Sequence, residues 1–97
     1  MSEKELEIIN HYGITTQLKY IHTEYYELDE AILNEINDDE TYYEQVEEYH
    51  KKHIAEEIAD VMVMLNQFKV YYGIDDKEIE SIMNKKIERQ LERIKNE

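Results

Sequence analysis

The stretch Ile54-Ala-Glu-Glu-Ile58-Ala-Asp60-Val-Met-Val-Met-Leu65-Asn-Gln-Phe68 decides the fold. Its apolar stripe runs Ile54, Ile58, Val61, Leu65, Phe68 and on to Tyr72, with gaps of 4, 3, 4, 3 and 4 residues. Side chains three and four apart share one face of an α-helix, so this spacing predicts a helix with a buried stripe. The helix reads from about Thr41 to Tyr72. Gly73 then supplies the left-handed residue that commonly follows a helix end. An unbroken helix of that length would measure about 48 Å. That is long for a chain of 97 residues. A kink near His50–His53 is therefore expected, or a partner chain that covers the excess.

Upstream, Ile14, Leu18, Ile21, Tyr25, Leu28 and Ile32 repeat the same gaps. They predict a helix that starts after Gly13, is capped by Thr15 or Thr16, and ends at Asn37-Asp38-Asp39. A short amphipathic piece over residues 3–10 precedes it. Downstream, a further helix begins at Asp75 or Asp76, where Asp75 with Glu78 resembles a capping box. Its apolar face is Ile79, Ile82, Met83, Ile87, Leu91 and Ile94. The chain has no Pro and only two Gly, too few turn formers for a sandwich or barrel. It is also too short for a doubly wound sheet or two cores. The reading is one all-α domain over residues 1–97.

Acids dominate, with 24 Asp and Glu against 11 Lys and Arg and a formal net charge of −13. Such a surface repels nucleic acid and anionic membrane and attracts metal cations. The imbalance is local. Residues 1–76 hold 5 Lys/Arg and 19 acids, whereas residues 77–97 hold 6 and 5. An anionic ligand finds its only concentrated welcome in that last segment. Cysteine is absent, which removes disulfides, thiolate zinc sites and a cysteine nucleophile. The start of the chain carries no apolar leader, and the run Val61 to Leu65 is too short to span a bilayer. A cytoplasmic protein without membrane or nucleic-acid partners is expected.

One pattern occurs twice. Glu24-Tyr-Tyr-Glu27-Leu28 and Glu57-Ile-Ala-Asp60-Val61 both read acid, apolar, any, acid, apolar. Each pair has i,i+3 spacing, so its carboxylates are neighbours on one helix face. Each pair also holds the same phase relative to its stripe, so two packed helices could present four carboxylates to one another. Abundant Glu makes a solvated face the ordinary reading of Glu24 and Glu27 alone. Asp60 differs, because Ile58, Ala59, Val61, Met62, Val63 and Met64 surround it on almost every side of the helix. A helix that is apolar all round is buried, so Asp60 is expected to be buried, and therefore paired, protonated or bound to metal. No Lys or Arg lies between Lys52 and Lys69 to pair with it. Hard oxygen ligands favour Mg²⁺, with Mn²⁺ as the alternative.

The last helix carries Lys86, Arg89 and Arg93 on one face. They read as surface salt bridges with Glu88 and Glu92, or, beside a metal cluster, as phosphate ligands. Glu47-x-x-His50 matches one half of a di-iron element, but no second half exists. His50 and His53 are accordingly expected on the solvated surface.

In their order along the chain these elements resemble the MazG-like all-α nucleoside triphosphate pyrophosphohydrolases. The resemblance rests on Glu24/Glu27, then Glu56-Glu57-Ile-Ala-Asp60, then Lys86 and Arg89, with Gln17 seven residues before Glu24. It spans about residues 14–94. It implies a four-helix-bundle-type fold. A homodimer or homotetramer is expected because Met62, Val63 and Met64 face away from the stripe of Ile58, Val61 and Leu65, and one small chain has too few helices to cover them all. The resemblance also implies hydrolysis of a (d)NTP between the α and β phosphates, releasing a nucleoside monophosphate and pyrophosphate. Glu24, Glu27, Glu57 and Asp60 would hold Mg²⁺, Glu56 or Glu57 would serve as base, and Gln17, Lys86 and Arg89 would bind substrate. Thr23 stands where many relatives carry an acid. The competing readings are a non-catalytic acidic interaction module and an inactive protein of the same fold.

Overall fold

The computed structural model describes residues 2–40 and 42–97 and is all-α, with no strand among the described residues. Four helices follow one another: α1 (Ser2–Tyr12), α2 (Ile14–Ile36), α3 (Glu44–Tyr71) and α4 (Asp76–Lys95). Gly13 alone separates α1 from α2. Its amide donates back to the Ile9 carbonyl at 2.8 Å, and its carbonyl accepts from Gln17 at 3.1 Å. Its φ of 92° is nearly closed to residues with a Cβ, so glycine lets the chain leave one helix and enter the next in a single step. The cap expected from Thr15 or Thr16 is not used, because the helix already starts at Ile14.

α3 runs unbroken through His50–His53, where a kink was expected. The expected start at Thr41 lies outside the described residues, and the helix begins at Glu44. His50 is buried rather than solvated. Its Nε2 lies 2.6 Å from Asp38 Oδ2, while Asp38 Oδ1 accepts from the Glu40 amide at 2.9 Å. This clamp fixes the connection between α2 and α3, and the His50 hydrogen bond holds the Asp38 carboxyl below its ordinary range.

α2 and α3 pack along each other, and α1 leans on both. The core is small. Ile9, Ala31 and Met64 are the buried apolar residues, and Gln17, Glu24, His50 and Gln67 are buried with them. The apolar stripes are covered only in part. Ile14, Ile21 and Leu28, spaced by seven, are half-buried, as are Ile54, Val61 and Phe68. The alternate members Leu18, Tyr25 and Ile32, and Ile58, Leu65 and Tyr72, are exposed. A second row of α2, Gln17, Glu24 and Ala31, is the one pressed against α3.

α4 begins as its sequence indicates. Gly73 takes a left-handed φ of 64°, and the Asp75 carboxylate accepts from the Lys77 amide at 3.0 Å as the N-cap. Lys69 pairs with Asp76 across the turn. Beyond that, α4 packs on none of the other three helices, and Ile82, Met83, Ile87, Leu91 and Ile94 are all exposed. A closed four-helix bundle within one chain is therefore not what forms. Three helices pack and the fourth stands clear. No helix among the described residues is long and apolar enough to cross a membrane.

Candidate metal centre

The two acid pairs meet. Oxygens of Glu24, Glu27, Glu57 and Asp60 all lie within 4.8 Å of one another, so the cluster could hold a metal ion. The register explains the meeting. α2 and α3 run antiparallel with Glu24 near Asp60 and Glu27 near Glu57. A step of three residues up one helix is matched by three down the other. The same register, carried seven residues further, sets Gln17 against Gln67, whose side chains are hydrogen-bonded at 2.8 Å.

Burial within the cluster is the reverse of the sequence expectation. Asp60 is exposed, and so are Ile58, Met62, Val63 and Leu65 around it. Three packed helices cover one side of α3 only, so an apolar circumference does not by itself produce burial. Glu24 is the buried member, at 7% exposure. Its Oε2 and the Oε2 of Glu57 are enclosed without a hydrogen-bond partner. Burial pushes the Glu24 carboxyl above its ordinary range, and the charges of Glu27 and Asp60 add to the rise. A hydrogen bond from Tyr20 opposes it. The same hydrogen bond, followed by the charge of Glu24, raises the Tyr20 hydroxyl.

Two enclosed carboxylate oxygens without donors are costly in any protein interior. Their donor set is oxygen only, and among the described residues the basic side chain beside the cluster is His53, 3.6 Å from Glu57. A divalent cation is the species that such a set suits.

The cluster opens on a groove of about 440 Å³ between α1, α2 and α3. Glu24 and Asp60 stand at its polar end, Gln17 and Gln67 lie in its wall, and Ile8, Tyr12, Val63 and Met64 supply apolar surface. Of the residues singled out from the sequence, Gln17, Glu24, Glu27, Glu57 and Asp60 are thus brought together. Glu56 is not. It is exposed and lines a separate shallow depression with Tyr49, Lys52 and His53. Lys86 and Arg89 are exposed on α4, away from the groove of their own chain. Sequence reasoning passed over Tyr20 and Gln67. Tyr20 precedes Glu24 by one turn, and Gln67 follows Asp60 by the same seven residues that separate Gln17 from Glu24. No family model, curated protein or solved structure matches this chain.

Proposed function

We propose that this chain is a divalent-cation-dependent nucleoside triphosphate pyrophosphohydrolase that converts a (d)NTP and water into a (d)NMP and pyrophosphate. The observation that carries the reading is the convergence of four carboxylates, two of them with enclosed and unpartnered oxygens, at the end of a groove. Glu24, Glu27, Glu57 and Asp60 would hold Mg²⁺ or Mn²⁺. When bound, such a cation neutralises phosphate charge and makes water more acidic. Glu57 Oε2, enclosed and without a donor, is the atom we assign to receive the water proton; His53 lies 3.6 Å from the other oxygen of that carboxylate, Oε1. Glu56 has no such position. The likeness of the acid pairs to those of MazG-like enzymes supports the reading.

The reading includes a homo-oligomer, a dimer or tetramer. Phosphates need cations, and Lys86 and Arg89 do not reach the acids of their own chain. The apolar face of α4 and the exposed rows of α2 and α3 are both uncovered. The first carries the basic end of the chain and the second its acidic body. We therefore assign the α4 of one copy to the groove of another, where Lys86 and Arg89 complete the site.

An unpartnered α4 also suits a non-catalytic interaction module. One assay separates the two: pyrophosphate release over a panel of NTPs and dNTPs with Mg²⁺. The enzyme releases pyrophosphate from at least one nucleotide, and Asp60→Asn and Glu24→Gln abolish that release. A wild-type protein silent on the whole panel is not this enzyme.

A further inference from the structure

His53 stands one turn before Glu57 on α3, and its Nε2 lies 3.6 Å from Glu57 Oε1. Such an i,i+4 pair is ordinarily a weak ion pair at the helix surface. The distance argues for another role. Hydrogen bonds between nitrogen and oxygen close to about 2.7–3.2 Å, so this pair makes none. Two atoms each bound at about 2.0–2.2 Å to one transition-metal ion are held about 3.0–3.6 Å apart, for angles between a right angle and about 120°. The gap between His53 and Glu57 is of that size, at its upper end.

The surroundings keep the pair available to an ion. The Tyr49 ring stands edge-on to the His53 ring, with centroids 6.1 Å apart, and steadies the imidazole. The antiparallel register that sets Glu27 near Glu57 sets Ala31 opposite His53 one turn further on, and alanine carries no polar atom to compete for the ring. On its other side His53 lines a depression of about 350 Å³ with Tyr49, Lys52 and Glu56. The side chains of His53 and Glu57 are 38% and 13% exposed, so the pair sits where the cluster meets solvent. Inside the cluster, Glu24 is 7% exposed and its Oε2 has no partner, as Glu57 Oε2 has none. Covered negative charge thus lies directly behind an imidazole nitrogen.

We propose that His53 Nε2 and Glu57 Oε1 form an outer metal position beside the four-carboxylate cluster, one that takes a first-row transition-metal ion of the imidazole-binding kind, such as Zn²⁺. It rests on the cation reading above only through Glu57, which both positions share. The two positions differ in donor type. The cluster offers oxygen alone and suits a hard ion, whereas an imidazole nitrogen suits zinc and its neighbours rather than Mg²⁺. Water from the depression fills the remaining coordination places of the outer ion. With Oε1 engaged on the outside, Oε2 stays turned toward the cluster, so the outer ion acts on the inner site by positioning Glu57.

The test is calorimetric titration of Zn²⁺ into the full chain held in excess Mg²⁺, with the histidine ring nitrogens followed by NMR and Mn²⁺ titrated separately. The wild type should take up one Zn²⁺ per chain, and the His53 Nε2 resonance should shift as it does so. His53→Ala and His53→Gln should each weaken Zn²⁺ binding by about tenfold or more and leave Mn²⁺ binding unchanged. Glutamine keeps a polar group toward Glu57 without an imidazole, so it separates ligation from a mere polar contact. Unchanged Mn²⁺ binding shows that both variants are folded. Zn²⁺ uptake that survives both variants, a His53 resonance that does not move, or no Zn²⁺ uptake in the presence of Mg²⁺ would overturn the outer position. Failure of the cluster reading looks different: Mn²⁺ alone does not bind, while Zn²⁺ still binds through His53. Nucleotide turnover enters no arm of the test.

Discussion

The groove between α2 and α3 and the outer face of α4 have opposite deficits. In the carboxylate cluster at the end of the groove, polar atoms are covered and lack partners: Glu24 Oε2 and Glu57 Oε2 are enclosed with nothing donating to them. On α4, apolar side chains have a regular helical stripe and lack cover: Ile82, Met83, Ile87, Leu91 and Ile94 are all exposed. The first deficit calls for a cation and the second for a protein surface. Hydrophobic pattern therefore predicts that a helix forms, but not what it packs on. A buried charge predicts a ligand more sharply than an apolar circumference predicts burial.

The largest test of this contrast asks whether the two deficits are met by the same event. Asp60→Asn removes a cluster carboxylate, and Arg89→Ala removes a cation from α4. Each variant alone should lose about 10²-fold or more of the pyrophosphohydrolase rate, the usual scale for a preorganised charged group. Mixed in equal amounts after dissociation, they should recover about a quarter of wild-type activity if the unit is a symmetric dimer with α4 acting across the interface. Half of the dimers are then mixed, and each mixed dimer contains one site with both groups intact. No recovery on mixing, with exchange verified by sedimentation, means that α4 serves its own chain or none.

The next effect is on stability and concerns the groove alone. A cation that binds the folded state stabilises it by mass action, about 2.7 kcal/mol at a concentration near 100 times Kd. For a domain of this size that raises Tm by roughly 10–20 °C. Mn²⁺ or Mg²⁺ should give this shift without nucleotide, and NaCl of equal ionic strength should give much less. Glu24→Gln should abolish the shift. It should also leave the apo protein at pH 7 at least as stable, because it removes a buried charge. A melting temperature that responds equally to Mn²⁺ in Glu24→Gln would show that Glu24 is not a ligand.

The same residue sets a pH dependence of the melting temperature. Glu24 is raised above its ordinary 4.5, so its neutral form is favoured in the folded state. Its stabilising contribution is complete below that value and is lost as pH rises through the folded pKa. Asp38 is lowered below its ordinary 3.8, so its contribution is present above that value and is lost as pH falls through its folded pKa. Apo stability should therefore decline from about pH 4.5 upward, and saturating Mn²⁺ should reverse that decline, since the cation needs the ionised carboxylate. In Glu24→Gln the decline should flatten. A decline of unchanged steepness in that variant would trace it to other groups.

The sequence carried the helices and the acid pairs, because both are local. Gly13, Gly73 and Asp75 mark real breaks and a real cap, and the i,i+3 pairs converge as their shared phase indicates. It did not carry which side of α3 is covered. Asp60 sits in an apolar turn yet stays exposed where it meets the cluster and the groove, whereas Glu24 lies in a row with Gln17 and Ala31 that only the antiparallel register turns inward. The buried place of His50 goes with a contact to Asp38, twelve residues away, which no periodicity records. The isolation of α4 is equally invisible, since its stripe is as regular as those of α2 and α3.

The smallest expected effect probes that isolation directly. Asp75 caps α4 through the Lys77 amide, and replacing such a cap with alanine costs about 1 kcal/mol. In a helix built into its own domain, that loss would lower the stability of the whole. Here α4 packs on no other helix of its chain beyond the Lys69–Asp76 pair, so the loss should fall on α4 and leave the packed body untouched. If α4 docks on a second copy, fraying of its first turn must be repaired on association, and the cost appears there. Asp75→Ala should then weaken dimerisation about fivefold, the equivalent of 1 kcal/mol. The Mn²⁺ affinity of the groove and the hydrogen-exchange protection of α2 and α3 should not change. Sedimentation gives the first quantity and exchange measurements the second. A drop in protection across α2 and α3, with dimerisation intact, would mean that α4 stabilises its own body in solution, and the contrast between the two regions would dissolve.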